Sequence, residues 1–300
     1  MTILLYQYDA FTKEINKGNP AGIVLNADTI PETDMQNLAY KLGYNETTFV
    51  GHSSIADFKL RYFTPGQEMD LCGHGTIAAV QALEDKDLLN QKEKITIETR
   101  AGVLPIWLAR RETLYITMQQ NTAEFIEFTG DRSRLSQALG IEADELSDDL
   151  PIVFGSTGNW TLIVPVKSLE SFLRMKPDNE RFPSILTQMP KASIHPICSQ
   201  TFNPNADLHG RHFSSPYSGT EEDPVTGTAS GVMGAYYATY IHEGLTECSI
   251  SVEQGNEIGK SGMVGVTIKQ NGPIQDVFIC GTAVLVKEIG ENAPNKEPQG

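Results

Sequence analysis

The sequence predicts an α+β protein of two similar domains, each a barrel-like sheet wrapped around a central helix. Two observations carry this. The first is an internal echo: Arg61-Tyr62-Phe63-Thr64-Pro65 returns as Arg211-His212-Phe213-Ser214-Ser215-Pro216. The offset is about half the chain, far longer than a solenoid repeat, so a duplicated domain explains it better. The second is that short strand-like runs outnumber helical ones, while the helix that follows each echo is built of small and apolar residues. Such a helix must be enclosed on most sides, and many strands around one buried helix imply a curved sheet.

Taken in order, alternating or β-branched runs predict strands at 3–8, 47–51, 57–63, 94–99, 103–108 and 113–118. A helix is expected over 31–42, opened by Pro31 and stopped by Gly43, and another over 75–83. In the second half, helices are expected at 132–139 and 228–242, the latter closed by Gly244, with strands at 161–166, 249–253, 264–268 and 277–286. The strand signal gives way to polar residues at 119–124. The first domain is therefore expected over 1–120 and the second over 121–276, with a strand at 277–288 returning to the first and a polar tail over 289–300. A weaker echo sets Asn45-Glu46-Thr47-Thr48-Phe49-Val50 beside Asn159-Trp160-Thr161-Leu162-Ile163-Val164, which aligns Glu46 with Trp160.

A length of 300 residues, with 40% hydrophobic and 20% charged content, suits two globular cores. With 23 Lys and Arg against 38 Asp and Glu, the net charge of −15 repels nucleic acid and anionic membranes, and the sequence has no basic patch to offset it. The acidic stretch 142–149 reads as solvated surface. The four cysteines, Cys72, Cys198, Cys248 and Cys280, have no short paired spacing, so neither a zinc site nor a disulfide framework is expected, and a reducing cytoplasm fits. No run reaches the ~18 apolar residues that a membrane span needs, and no secretory signal is read at the N-terminus.

The chemistry is expected where each echo runs on into a helix. Asp70-Leu71-Cys72-Gly73-His74-Gly75-Thr76 follows the first echo and Asp223-Pro224-Val225-Thr226-Gly227-Thr228-Ala229 the second. Helix N-termini carry unpaired N–H groups and partial positive charge, which suits a carboxylate or phosphate. Gly73, Gly75 and Gly227 allow close approach of a ligand to the backbone, and His74 and Thr228 add donors. The plainer alternative, tight strand-to-helix turns, weakens when the pattern occurs twice. Glu46 stands before a strand with no nearby Lys or Arg in sequence. Held against apolar neighbours it would have a raised pKa and move protons near neutrality; taken alone, it reads as a surface glutamate at a strand entrance.

His74 reads either as a general acid or base or as a histidine satisfied by backbone. Asp223 reads as an orienting or ammonium-binding carboxylate, or as a cap before Pro224. A helix N-terminus would activate the Cys72 thiol, yet the second half has no cysteine to match it. His209 and His212 have metal-like spacing, but no ligand pattern surrounds them in sequence, and loop polarity is the simpler account. The glycine clusters fit neither a P-loop nor a dinucleotide fingerprint.

As an ordered set, Gly18-Asn19-Pro20-Ala21-Gly22, Asn45 to Val50, Arg61 to Pro65, Cys72 to Thr76 and Asp223 to Ala229 resemble the phenazine biosynthesis-like (PhzF) family, related to diaminopimelate epimerase. The resemblance implies two similar domains with the active site in the cleft between them, and no metal or organic cofactor. It implies Glu46 as the acid/base glutamate, His74 and Asp223 as catalytic partners in the same cleft, and Gly73, Gly75, Gly227, Thr228 and Asn19 as substrate-binding positions. Thr228 stands where serine is common in the family, a departure that keeps the hydroxyl. Cys72 matches one catalytic cysteine of diaminopimelate epimerase, and the second is missing. The expected function is thus a cofactor-independent isomerase of a small carboxylated substrate. The alternatives are an amino-acid epimerase using Cys72 and a non-catalytic small-molecule binding protein. Homodimerisation through one domain is common in the family.

Overall fold

The computed structural model describes residues 2–218, 220–272 and 274–292. The chain forms two compact units, Met1–Ile116 with Thr282–Gly300, and Thr117–Gly281. Among the described residues, no helix is long and apolar enough to cross a membrane.

In the first unit the strand Thr2–Ala10 pairs antiparallel with Asn19–Leu25 on one side and Ala283–Asn292 on the other. Asn19–Leu25 then runs parallel to Glu46–Gly51, which is antiparallel to Phe58–Phe63. A parallel pair needs a long crossover, and the helix Glu32–Leu42 lies in it. The helix begins after Pro31 and stops at Gly43, whose φ of 65° is the left-handed conformation that glycine adopts without steric cost. The helix Gly73–Asp85 packs on Thr2–Ala10, Asn19–Leu25, Glu46–Gly51 and Ala283–Asn292, which is why nine of its residues are buried.

In the second unit Val153–Ser156 pairs antiparallel with Glu124–Glu127 and with Trp160–Pro165, and the latter runs parallel to Ser193–Cys198. Ser193–Cys198 is antiparallel to His212–Phe213. The helix Gly227–Tyr236 packs on Val153–Ser156, Glu247–Gln254, Gly262–Asn271 and Ile274–Gly281. Glycines on both sides let helix and sheet approach: a Cβ on Gly234 of the helix would sit 2.4 Å from Val266 Cγ1, and one on Gly155 of the strand would sit 2.3 Å from Val232 Cγ1. Past Tyr236 the expected helix widens into a π-helical turn, Tyr237–Ile241.

Four expectations are corrected. The run 277–286 is two strands, Ile274–Gly281 and Ala283–Asn292, in different units. Residues 289–292 of the expected tail are strand, paired with Thr2–Ala10, whereas 293–300 lie outside the described residues. The third concerns register. Ala21 pairs with Glu46 and Thr47 with Phe63, just as Thr161 pairs with Ser193 and Ile194 with Phe213. The counterpart of Glu46 is therefore Ser193, not Trp160, and the counterpart of Asn159 is Asn19. Likewise Phe63 faces Glu68 and Phe213 faces Glu222, so Asp223 matches Met69 rather than Asp70.

The same register explains the echo itself. Arg61 forks onto Glu68 through Nε and Nη2, both at 2.7 Å, and Arg211 forks onto Glu222 at 2.9 and 2.7 Å. Each guanidinium also lies over the phenylalanine two residues on, at 5.1 Å from Phe63 and 4.7 Å from Phe213. The repeated Arg-x-Phe is thus a clamp that fixes the short strand leading into each helix. A planar fork matched to a carboxylate supplies this geometry, and lysine would not.

The fourth correction is that His209 and His212 do not sit in a polar loop. His209 is fully buried in the strand Leu208–Gly210, with Nδ1 3.0 Å from Glu253 Oε1 and Nε2 2.9 Å from Glu257 Oε1. Burial alone would pull its pKa down, but hydrogen bonds and charge from Glu253 and Glu257 outweigh it, and the net shift is upward. Glu253 is pushed up by burial, yet His209 and the backbone N–H groups of Phe202 and Asn203 hold it below the usual range. The raised histidine contributes stability below its unfolded pKa, lost as pH rises through the folded value. The lowered glutamate contributes above its unfolded pKa, lost as pH falls through the folded value. The cluster should therefore support the fold most between about pH 4.3 and 6.5. Thermal midpoints are expected to fall as pH is raised from that window, and Glu253→Gln should lower the midpoint and flatten the slope; an equal slope in the variant would refute this.

Candidate active site

Glu46 is the first residue of the strand Glu46–Gly51, and its side chain is carried inside rather than on the surface: it is 7% exposed. Cys72 is the N-cap of the helix Gly73–Asp85, where its Sγ accepts the Gly75 N–H at 3.3 Å. Sulfur here takes the place of the usual hydroxyl or carboxylate cap. His74 is in the first turn, 9% exposed, with Nδ1 3.3 Å from Cys72 Sγ. A carboxylate oxygen of Glu46, the Cys72 sulfur and a His74 ring nitrogen all lie within 4.8 Å of one another.

Around these three, Tyr62 and Thr76 tie the strand Phe58–Phe63 to the helix. Tyr62 Oη and Thr76 Oγ1 are 2.7 Å apart, and Thr76 Oγ1 donates back to Cys72 O at 2.7 Å. Full burial raises the Tyr62 phenol, opposed by its bond to Thr76 and reinforced by the charges of Cys72 and Glu46. Tyr62 thus remains a neutral hydrogen-bonding wall. Asn19, fully buried, opens the strand that pairs with Glu46–Gly51, two residues before the Ala21 that faces Glu46.

Gly75 marks a close approach. A Cβ there would lie 2.5 Å from Thr48 Oγ1, 3.3 Å from Cys72 Sγ and 3.3 Å from Tyr62 Cδ1. Gly75→Ala should destabilise the protein by about 1–3 kcal/mol through overpacking, read from the denaturant midpoint; an unchanged midpoint would mean that Thr48 and Tyr62 move aside without cost.

Asp223, Gly227 and Thr228 form a second group, in the second unit. The helix N-cap is Thr226, so Asp223 is not the cap; its Oδ2 accepts from Thr226 Oγ1 at 2.5 Å. Gln254 spans the turn, donating to Asp223 O at 2.7 Å and accepting from the Thr226 N–H at 3.2 Å. Ser230 Oγ donates to Thr226 O at 2.9 Å, as Thr76 does to Cys72 O in the first unit. Thr157 Oγ1 holds Thr228 O at 3.0 Å. Tyr62 and Gln254 escaped the sequence reading. Tyr62 lay in plain view inside the first echo, whereas nothing near Gln254 in sequence pointed to the helix start.

The donor set of Glu46, Cys72 and His74 is suited to proton transfer, and it is also one that a metal ion accepts. Gly73 and Gly75 open the helix beside it, where unpaired N–H groups favour an anion.

Comparison with known proteins supplies the family. The family described as phenazine biosynthesis-like protein matches residues 8–289. An uncharacterised isomerase of Bacillus subtilis, YfhB, is 51% identical over 93% of this chain and 94% of its own. The uncharacterised isomerase YddE of Escherichia coli K12 is 34% identical over 94% of this chain and 96% of its own. The crystal structure of a Bacillus anthracis phenazine biosynthesis protein of the PhzF family superposes with a TM-score of 0.95 at 52% identity, covering 98% of this chain and 100% of that one. A hydroxyproline epimerase from Agrobacterium vitis shares the fold at 12% identity, with a TM-score of 0.63 over 96% of this chain and 91% of that one. The sheet-rich α/β architecture is thus of the class shared by PhzF proteins and proline racemase-type enzymes. Within that class, the chain belongs to the phenazine biosynthesis-like (PhzF) family.

Proposed function

We propose that this protein is a cofactor-independent isomerase in which Glu46 takes a proton from an activated C–H of a small carboxylated substrate and returns it to another carbon. The observation that carries the reading is the burial of Glu46 beside His74 and Cys72 at the start of a helix. Isomerase is also the name borne by its curated relatives. A carboxylate largely withdrawn from water can exchange protons with a bound substrate, and the helix N–H groups favour the negative charge that develops as the C–H bond breaks. In this proposal the two units are copies of one barrel-like domain. Asp223, Gly227 and Thr228 hold the same substrate from the second domain across an interdomain cleft, with Asn19, Gly73 and Gly75 on the first. The matched strand registers support the duplication; the family resemblance supports the cleft.

A second reading has an observation of its own. The Cys72 sulfur accepts the Gly75 N–H at 3.3 Å and lies 3.3 Å from His74 Nδ1, within reach of a group that can take its proton. An amino-acid epimerase would use it as a base. The test is incubation with a panel of small carboxylates in deuterated water. Enzyme-dependent exchange that Glu46→Gln abolishes and Cys72→Ser only reduces supports the isomerase; the reverse pattern supports the epimerase. Carboxylate binding with no exchange at all would sink both and leave a binding protein.

A further inference from the structure

We propose that Glu46, Cys72 and His74 form a binding site for a thiophilic divalent cation, with Zn²⁺ as the ion that fits, and that its occupancy switches the protein off. Zinc takes thiolate at about 2.3 Å and imidazole at about 2.0–2.1 Å in tetrahedral geometry, which sets sulfur and nitrogen about 3.6 Å apart. The Cys72 sulfur is 3.3 Å from His74 Nδ1 and 3.9 Å from Nε2, on either side of that spacing. The carboxylate completes a triangle of oxygen, sulfur and nitrogen donors, all within 4.8 Å of one another. Small side-chain rotations would bring the three to tetrahedral positions, with the fourth left open to water or a ligand carboxylate.

Charge argues for the same ion. A buried charge is costly unless compensated, and one thiolate plus one carboxylate neutralises Zn²⁺ while imidazole binds as a neutral ligand. On binding, the Cys72 sulfur forms a bond to zinc, its S–H bond breaks, and the proton leaves to solvent. The other buried histidine flanked by acids lacks this convergence: Glu253 and Glu257 approach opposite nitrogens of His209. A metal there would have to choose one carboxylate.

The inhibitory half of the proposal rests on Glu46 being the proton-transfer group, since a carboxylate that ligates zinc no longer exchanges protons. The binding half does not. The experiment is titration of the full-length reduced protein with Co²⁺, followed by the near-ultraviolet thiolate-to-cobalt charge-transfer band, and then displacement with Zn²⁺ measured by calorimetry. One ion per chain is expected. Cys72→Ser, which keeps an oxygen to cap the helix, should abolish the band and weaken Zn²⁺ by on the order of 100-fold; His74→Gln should weaken it comparably. Unchanged affinity in both variants, with native circular dichroism, overturns the site. Zn²⁺ should also suppress the Glu46-dependent exchange, and EDTA should restore it. If the wild-type band is present but that exchange proceeds undiminished, the switch is overturned; if no carboxylate exchanges at all, the function reading fails while the band still decides the site.

Discussion

Glu46→Gln is expected to lower enzyme-dependent deuterium incorporation by about 10²–10⁴-fold, the usual contribution of a positioned acid or base. Glutamine keeps the size and hydrogen-bonding reach of the side chain and removes only the ability to gain and lose a proton near neutrality. The variant should therefore fold. Glu46 lies in a strand held by parallel pairing through Ala21 on one side and by antiparallel pairing of Thr47 with Phe63 on the other, and neither ladder depends on its carboxylate. Circular dichroism and the unfolding midpoint should stay close to wild type while exchange is lost. The control is Cys72→Ser, which leaves the carboxylate in place and should retain measurable exchange. If Glu46→Gln exchanges at the wild-type rate, the carboxylate is a bystander, whatever its burial.

What the sequence made legible was local. Pro31 and Gly43 bound a helix in both sequence and structure because each residue's own backbone preference does the work. The strand Lys94–Thr99 and the helix Arg132–Leu139 are where their periodicity puts them. Pairing between distant segments was harder to read. The string Asn159 to Val164 matches Asn45 to Val50 at its Asn, Thr and Val, and matches Asn19 to Val24 at its Asn, Ile and Val. Strand sequences are too degenerate to choose between these partners; only the ladder chooses, and it chooses Asn19. The strand Ser193–Cys198 was missed because His195 and Pro196 look like loop. In the structure, His195 is fully buried, with Nδ1 3.1 Å from His212 Nδ1, and Pro196 O accepts the Arg211 N–H at 3.2 Å.

The candidate site shows the same division. Cys72 and His74 are neighbours in sequence, so their meeting at a helix start was readable. Glu46 joins them only because the helix Gly73–Asp85 packs on the strand Glu46–Gly51, which no spacing rule anticipates. The asymmetry between halves also gains a clearer basis. By register the partner of Glu46 is Ser193, and by helix position that of Cys72 is Thr226. Two titratable groups in one unit are thus hydroxyls in the other. The two units share a clamp and a helix start, while Glu46 and Cys72, the groups proposed to move protons, are in the first alone.

The clamp sets up the second large expectation: Arg211→Ala should cost about 3–5 kcal/mol, the range for breaking a buried ion pair from one side. The Arg211 side chain is 7% exposed and that of Glu222 12%. Arg211 Nη1 also donates to Phe172 O at 2.9 Å and to Met175 O at 3.3 Å, the last carbonyls around a short helix. Removing it takes both fork bonds from the Glu222 carboxylate and one donor from each of two carbonyls, leaving Phe172 O only the Met175 N–H at 3.3 Å. Arg61 makes the equivalent fork but is 23% exposed, and its further partner Glu32 is 69% exposed. Solvent screens the Glu32 contact, and Glu68, though 10% exposed, keeps Arg100 Nη1 at 3.1 Å, so Arg61→Ala should cost less, about 1–3 kcal/mol. Denaturant unfolding of the two variants decides whether burial sets the difference; equal losses would mean that the fork alone carries the stability. Glu222 immediately precedes Asp223, and His212, next to Arg211, pairs across the strands with Asp223. Losing the Arg211 clamp therefore loosens the strand that presents Asp223. An Arg211→Lys variant, which keeps charge but not the planar fork, should recover part of the stability while leaving this strand less well held.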